Sequence, residues 1–255
     1  MTEGARLTLE SVGYTYTGER TTRALEGLCL DIADNEFLGV VGPVGCGKTT
    51  LLRLIAGFLP PGEGRVLADG APVSGPSPAR GYVFQEEAIF PWMTVAENVE
   101  FGLLARGTPR VAREAVVHDL VGLIGLEGFE RAYPRELSAG MAKMVEVARV
   151  LATEPSVLLL DEPFGSLDAQ TRARMQEALG TLWEKRRTTV VMVTHDVDEA
   201  IQLADRLVVL SPRPGRVTLE VTVDFPRPRT LTTRLSPSFT ALKRRIWGAL
   251  GLSGA

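Results

Sequence analysis

The sequence has few of the residues that build disulfide frameworks and metal clusters. Its 255 residues include 2 cysteines and 2 histidines, which excludes a disulfide framework and a histidine-rich metal site. No apolar run approaches the ~20 residues that cross a bilayer. The N-terminus shows no signal-peptide apolar segment. We therefore expect an intracellular protein that reaches a membrane only through a partner.

An excess of basic residues is also missing. The net charge is −3, so the chain has no electrostatic footprint for nucleic acid, and we expect no nucleic-acid partner. Neither a low-complexity tract nor a repeat of solenoid period occurs. With 45% hydrophobic residues, the chain is long enough for one α/β core with an inserted subdomain.

A glycine-rich motif stands between a predicted strand and a predicted helix. Residues 42–49 read G-P-V-G-C-G-K-T, which fits the phosphate-binding loop G-x-x-x-x-G-K-[ST]. The strand is predicted at 37–41 and the helix at 50–56. An ordinary glycine turn is disfavoured because both flanks agree with the motif. The predicted nucleotide contacts are Gly42, Pro43, Val44, Gly45, Cys46, Gly47, Lys48, Thr49 and Thr50.

Two carboxylates follow a second apolar segment. Residues 157–160 are apolar throughout and precede Asp161 and Glu162, a pattern typical of a central parallel strand. Carboxylates at its tip need a cation or a polar crevice. We predict that Asp161 binds Mg²⁺ with the Thr49 hydroxyl, and that Glu162 orients or deprotonates water. The alternative is a strand end that is merely capped by acids.

Two more polar residues end predicted core strands. Gln85 follows the strand at 81–84, and His195 follows the strand at 188–194. Polar residues at the carboxyl ends of strands lie near the ligand crevice of an open α/β sheet. Tyr14 and Tyr16 fall in a predicted loop between the first two strands. Either could stack on a base, although packing alone is the commoner role of a loop tyrosine.

The middle of the chain lacks strand signals between Thr94 and Thr153. Thr94 and Glu97 form a capping-box pattern, an amphipathic helix is predicted at 108–124, and Ser138 is a good N-cap for a helix to Leu151. We expect an α/β core with a mixed sheet, an N-terminal antiparallel β subdomain and an inserted helical subdomain at about 94–153. The tail at about 212–255 ends in an amphipathic helix that docks on the domain.

These motifs together resemble the ATP-binding subunit of an ABC transporter over essentially the whole chain, which implies a single ATP-binding domain spanning residues 1–255. Leu137-Ser138-Ala139-Gly140-Met141 is similar to the ABC signature, and Ser166-Leu167-Asp168 to the D-loop. The resemblance assigns Gln85 to the Q-loop and His195 to the switch histidine, and it favours Tyr16 over Tyr14 as the adenine-stacking aromatic. Residues 84–92 and Arg213-Pro214-Gly215-Arg216 look like the subgroup that imports nitrate, sulfonates or taurine in bacteria.

The resemblance also implies a mechanism and partners. Two copies would form a homodimer that sandwiches ATP, with Ser138 and Gly140 of one copy facing the γ-phosphate held by Lys48 of the other. Glu162 would be the general base, Gln85 would bind Mg²⁺ or water, and His195 would hold the γ-phosphate, while Asp168 belongs to the catalytic set. The dimer would lie on the cytoplasmic face of a bacterial membrane, in contact with permease subunits. A solute-binding protein outside the membrane would deliver the solute to that permease.

The sequence departs from the family pattern at two places. Ala139 stands where glycine is usual, which matters if that position needs a positive φ. Ala142-Lys143-Met144 replaces Arg-Gln-Arg, so a charge that pairs across the subdomain is expected to be missing. We also predict that Cys46 has a lowered thiol pKa, because it lies beside Lys48 and a helix N-terminus.

Two other functions stay open. A soluble ABC ATPase acting on DNA or ribosomes usually carries long insertions, two cassettes or a basic patch, and this sequence has none of these. A scaffold that binds ATP without hydrolysing it is disfavoured by the presence of Glu162 and His195.

Overall fold

The computed structural model describes residues 4–18 and 20–251. Ten strands are formed there: β1 Leu7–Tyr16, β2 Thr22–Ile32, β3 Phe37–Val41, β4 Glu63–Ala68, β5 Ala71–Pro72, β6 Arg80–Val83, β7 Val157–Asp161, β8 Thr189–Thr194, β9 Arg206–Leu210 and β10 Val217–Thr222. The helices are α1 Lys48–Ala56, α2 Val95–Ala105, α3 Arg110–Leu123, α4 Ala139–Ala152, α5 Ala169–Arg186, α6 Val197–Leu203, α7 Leu231–Arg234 and α8 Pro237–Ala249.

A six-stranded mixed sheet forms the centre of the molecule. Its order is β10-β9-β3-β8-β7-β6; β10 is antiparallel to β9, and every other pair is parallel. Every residue of β3, β7 and β8 is buried, as expected for parallel strands covered on both faces. The prediction of a mixed α/β sheet is confirmed. The carboxyl ends of these strands meet at one edge, where the candidate site lies.

A second, four-stranded antiparallel sheet covers one face of the central sheet. Its order is β2-β1-β4-β5, and its apolar side chains pack with α1 against one set of residues from β3, β7 and β8. The alternate residues of those strands face the helices on the other side. The predicted N-terminal β subdomain is therefore present.

The prediction that Tyr14 and Tyr16 lie in a loop is wrong. Both belong to β1, which continues through register shifts to pair Tyr14 with Leu25 and Tyr16 with Thr22. The irregular register explains why the alternation of apolar residues fades before the strand ends. The two rings meet edge to face with their centroids 4.9 Å apart.

Helices α2, α3 and α4 form the inserted segment, and no strand lies between residues 94 and 153, all of which are described. Thr94 forms the predicted capping box with Glu97, and the Ser138 hydroxyl caps α4 by accepting from the Met141 N–H at 3.3 Å. The start predicted at Thr108 is wrong. Helix α3 begins at Arg110 after the N-cap residue Pro109, whose ψ of 144° is not helical and whose ring has no oxygen to form a side-chain cap.

The C-terminal helix α8 packs on the core, as predicted. Phe239 and Ile246 are 2% and 0% exposed, Phe225 stacks on Phe239 with centroids 6.0 Å apart, and Lys243 Nζ lies 2.7 Å from the Asp198 carboxylate. Within the described ranges, no helix has both the length and the apolar composition of a membrane span.

Candidate functional site

A cleft of about 450 Å³ opens at the carboxyl edge of the central sheet. It brings together residues that are far apart in the sequence, because β3, β7 and β8 are adjacent parallel strands. The predicted residues that line it are Tyr16, Val44, Gly45, Gly47, Lys48, Thr49, Thr50, Gln85, Glu162 and His195. Thr22, Ala24 and Arg213 also line it, and none of these three was predicted as a site residue.

The phosphate-binding loop depends on glycine at two positions. Gly45 has φ 77° and Gly47, the residue before α1, has φ 106°, and side chains disfavour both values. The Lys48 ammonium folds back over the loop and donates to the carbonyls of Gly42 at 2.9 Å and Pro43 at 3.2 Å. Loop amides, a helix N-terminus and this cation together make an anion-binding site.

Asp161 lies beside the loop and is only 4% exposed. It accepts hydrogen bonds from the Thr49 hydroxyl at 3.0 Å and from the Tyr82 hydroxyl at 2.8 Å. Burial first, and then the neighbouring Asp161 carboxylate, raise the pKa of Tyr82 above its ordinary value. In the described part of the chain no lysine or arginine pairs with Asp161, so this buried carboxylate lacks a cation.

The donor set around Asp161 fits Mg²⁺. The Thr49 hydroxyl and the Asp161 carboxylate supply hard oxygen ligands, and Gln85 lines the same space with them. Magnesium sites in nucleotide enzymes use few protein ligands plus phosphate oxygens and water. Among residues 4–18 and 20–251, no three His, Cys, Asp or Glu side chains are grouped so that they could hold a metal ion.

The Glu162 side chain lies between Lys48 and His195 in the cleft. The Glu162 backbone N–H donates to Val193 O at 3.0 Å, and its positive φ of 44° comes directly after the end of β7. One carboxylate oxygen lies 3.7 Å from Lys48 Nζ and the other 3.0 Å from His195 Nδ1. This contact uses His195 Nδ1 and not Nε2, and which atom donates depends on the tautomer of the imidazole.

Cys46 does not have the reactivity predicted for it. Its side chain is 1% exposed, and burial raises the pKa of the thiol, which outweighs the lowering by Lys48. The prediction considered only the nearness of Lys48 and a helix N-terminus, whereas the thiol points into the core between Gly42 and Leu210. The predicted low-pKa cysteine is therefore wrong.

Ser138, Gly140 and Asp168 do not line the cleft of their own chain. Ser138 caps α4, and a Cβ on Gly140 would lie 2.5 Å from Thr171 Cγ2. Asp168 caps α5, where hydrogen bonds from Thr171 and Gln170 lower its pKa. Ala139 is the first residue of α4 with no positive φ, so the helix accepts its methyl group.

The charge expected to be missing after the signature is present. Lys143 crosses from α4 to the segment after β6, where its ammonium donates to Phe84 O at 2.8 Å. Its partner Glu146 accepts from Phe84 N at 2.9 Å. The expectation rested on residue types alone, and the structure shows that Lys143, inside the same three residues, reaches the segment after β6.

Tyr82 and Arg213 are the main polar neighbours that sequence reasoning missed. Tyr82 lies on β6, which pairs with β7, the strand that ends in Asp161. A prediction that these two strands are neighbours could therefore have identified Tyr82. Arg213 lies 168 residues after Gly45, to whose carbonyl its Nε donates at 3.0 Å. No local pattern connects those two positions.

The strand, glycine loop and helix, with Lys48 and Thr49 facing two acids on a neighbouring parallel strand, define a phosphate-loop nucleotide-binding protein of the α/β class. Comparison with known proteins narrows the class. A family model described as ABC transporter matches residues 25–165, more than half of the chain, and the chain belongs to this family as one of its ATP-binding proteins.

Named relatives are close in length and sequence. The taurine import ATP-binding protein TauB of Burkholderia thailandensis is 46% identical over 224 residues, covering 88% of this chain and 86% of the relative. The aliphatic sulfonates import ATP-binding protein SsuB of Bacillus cereus is 42% identical over 227 residues, covering 89% and 88%. A dimeric ATP-binding cassette solved in a post-hydrolysis state with ADP and Pi is 30% identical, with a TM-score of 0.73, covering 86% of this chain and 100% of that one.

Proposed function

We propose that this chain hydrolyses Mg²⁺-ATP between two copies of itself and thereby drives uptake of a small solute, such as taurine, a sulfonate or nitrate, through a separate permease. The observation that carries the proposal is the convergence of Lys48, Asp161, Glu162 and His195 on one edge of the sheet, with Glu162 between Lys48 and His195 at 3.7 and 3.0 Å.

ATP would bind with its phosphates in the loop. The Lys48 ammonium, now held by the carbonyls of Gly42 and Pro43, would exchange them for outer phosphate oxygens. The Tyr16 ring is 37% exposed, and its hydroxyl lies 3.1 Å from Thr50 Oγ1. This contact holds the Tyr16 ring beside the N-terminus of α1, and adenine would stack on the exposed face of the ring.

Hydrolysis would use the carboxylate and the imidazole together. Glu162 accepts the proton of the attacking water, and His195 donates from its ring to the γ-phosphate. The bond between Nδ1 and Glu162 orients the ring in the same way that a third group orients the base of other hydrolytic sites. Magnesium, bound by Thr49, Asp161 and Gln85, would neutralise charge on the phosphate oxygens.

A second copy would complete each site. Ser138 is exposed at the N-terminus of α4 and Gly140 is buried in its first turn, both away from the cleft of their own chain, and a helix N-terminus is suited to phosphate. The solved dimer of a 30% identical cassette with ADP and Pi supports dimerisation of a chain of this fold. Asp168, at the start of α5, would lie at the interface between the copies.

A permease segment would dock near the loop after Gln85. Trp92 is 69% exposed and Phe101 39%, and both rings pack on Phe90, at 5.5 and 4.7 Å between centroids. Exposed aromatic clusters of this kind are typical of protein contact surfaces. The same loop carries Gln85 into the nucleotide cleft, so nucleotide state and permease contact would be linked.

The test is reconstitution with a candidate permease in proteoliposomes. ATP-dependent accumulation of labelled taurine or sulfonate, abolished by Glu162→Gln, is the expected result. A solute-binding protein added on the side opposite the ATPase should increase the rate. If the purified chain hydrolyses ATP but neither co-purifies with a permease nor drives uptake, the alternative of a soluble ABC ATPase is correct.

A further inference from the structure

The turn between β9 and β10 packs directly on the phosphate-binding loop. Gly215 N donates to Ala24 O at 2.9 Å, and Glu26 N donates to Gly215 O at 3.2 Å, so the turn is bonded to β2. A Cβ on Gly215 would lie 2.2 Å from Cys46 O. Only glycine allows the turn to approach the loop this closely.

This packing places the Arg213 guanidinium at the cleft. Its Nε donates to Gly45 O at 3.0 Å, and Nη2 lies 2.8 Å from where a Cβ on Gly45 would stand. A guanidinium carries five N–H donors, and this contact uses the one on Nε. In the described residues no carboxylate pairs with Arg213 and no second acceptor takes its other donors.

Arg216, on the same turn, is different. Its guanidinium pairs with the Glu26 carboxylate at 2.6 Å and does not line the cleft. The two arginines therefore differ. Arg216 is paired with a carboxylate on β2, whereas Arg213 has N–H groups without an acceptor among the described residues and lines the cleft with Lys48.

We propose that Arg213 is a nucleotide-binding residue that contacts the phosphates of ATP as a second cation, acting from outside the phosphate-binding motif. This inference rests on the proposed ATP site. An arginine fork suits phosphate oxygens because it donates two parallel hydrogen bonds. The carbonyl of Gly45 fixes the side chain, so little rotamer freedom is lost on binding. Lys48 acts from within the loop, and Arg213 covers the same phosphates from the side of Ala24 and Thr22.

The experiment measures nucleotide affinity by displacement of a fluorescent ATP analogue from the full chain, for ATP, ADP and adenosine. Arg213→Ala should weaken ATP binding about tenfold, equivalent to about 1.4 kcal/mol, weaken ADP binding as well, and leave adenosine unchanged. The loss should shrink as salt rises, because salt screens exposed charges. Arg216→Ala is the matched control and should bind all three ligands like the wild type.

Arg213→Lys separates charge from geometry and guards against misfolding. It keeps the cation and should retain part of the ATP affinity that alanine loses, with an unchanged melting temperature. Unaltered ATP affinity in Arg213→Ala overturns the proposal. So does an equal loss for adenosine, which would place the contact on the base or sugar, or an equal loss in Arg216→Ala, which would reduce both residues to holding the turn. A wild-type chain that binds no ATP would instead refute the proposed function.

Discussion

Lys143 and Glu146 form an ion pair inside the protein, with 2.9 Å between Nζ and Oε2 and side chains 5% and 0% exposed. The pair lies on α4, the helix that begins at the signature, and it binds both the N–H and the carbonyl of Phe84. Phe84 precedes Gln85. The pair therefore connects the helix that we propose faces the second copy's nucleotide with the segment that carries Gln85 into the chain's own cleft.

Removing one member of this pair should destabilise the protein strongly. Lys143→Met leaves Glu146 charged, buried and unpaired, a change that costs about 3–5 kcal/mol. The double variant Lys143→Met with Glu146→Met removes both charges and should be less destabilised than the single one, although the Phe84 N–H loses its acceptor. Urea unfolding measures both.

The control for that prediction is an exposed pair. Arg110 and Glu114 lie 2.7 Å apart with side chains 82% and 58% exposed, and exposed pairs contribute little because water and salt screen them. Arg110→Ala should not change the urea midpoint measurably. A double variant less stable than Lys143→Met would contradict the assignment of the cost to the unpaired charge.

Glu162→Gln should separate binding from hydrolysis. The amide keeps the shape of the side chain but cannot accept a proton, so ATP turnover should fall by about 10²- to 10⁴-fold while ATP affinity is retained. Phosphate release and nucleotide displacement measure the two quantities. Glu127→Gln, at an exposed position of the helical segment, serves as the control, and a comparable loss of turnover there would contradict the role of Glu162.

The two cysteines should differ in reactivity. Cys29 is exposed and Cys46 is buried, and burial raises the pKa of the Cys46 thiol, so the reactive thiolate is scarce and shielded. We expect iodoacetamide to modify Cys29 first in the native protein and both residues equally in urea. Peptide mass spectrometry over time measures this. Equal rates in the native protein would show that Cys46 is accessible after all.

Glu199 should make stability depend on pH. Burial raises its pKa from 4.5 to about 7, with a further increase from Asp196, while the Thr194 hydroxyl acts in the opposite direction. Among the described residues, none forms a hydrogen bond with its Oε1. Between about pH 4.5 and about 7 the folded protein therefore holds a proton that the unfolded chain releases.

The free energy of unfolding should fall as pH rises through this window, by on the order of 3 kcal/mol in total. Glu199→Gln should flatten the slope, whereas Glu177→Gln, at an exposed position, should not. Urea unfolding at several pH values measures the slope. A wild-type slope of the opposite sign would mean that Glu199 stays ionised in the folded state.

Local patterns predicted the elements that depend on near neighbours. The buried strands β3, β7 and β8 are continuous apolar segments, and the caps at Thr94, Ser138 and Asp196 satisfy nearby N–H groups. The phosphate loop was predictable from its own glycines, lysine and threonine together with the strand and helix beside it in the sequence. The extent of β1 through Tyr16 was not predictable this way, because its last residues are held by pairing with β2 across an irregular register.

What the sequence alone determined is the chemistry available: a phosphate loop, paired acids at a strand end, a histidine at another, and the family these indicate. Only the tertiary structure determined the direction of each side chain and the residues that it contacts. In the folded chain Cys46 is buried, Lys143 donates to the Phe84 carbonyl, and Arg213 donates to the Gly45 carbonyl. Those contacts join positions between 59 and 168 residues apart, and burial and pairing at such separations depend on the packing of whole sheets rather than on any local spacing.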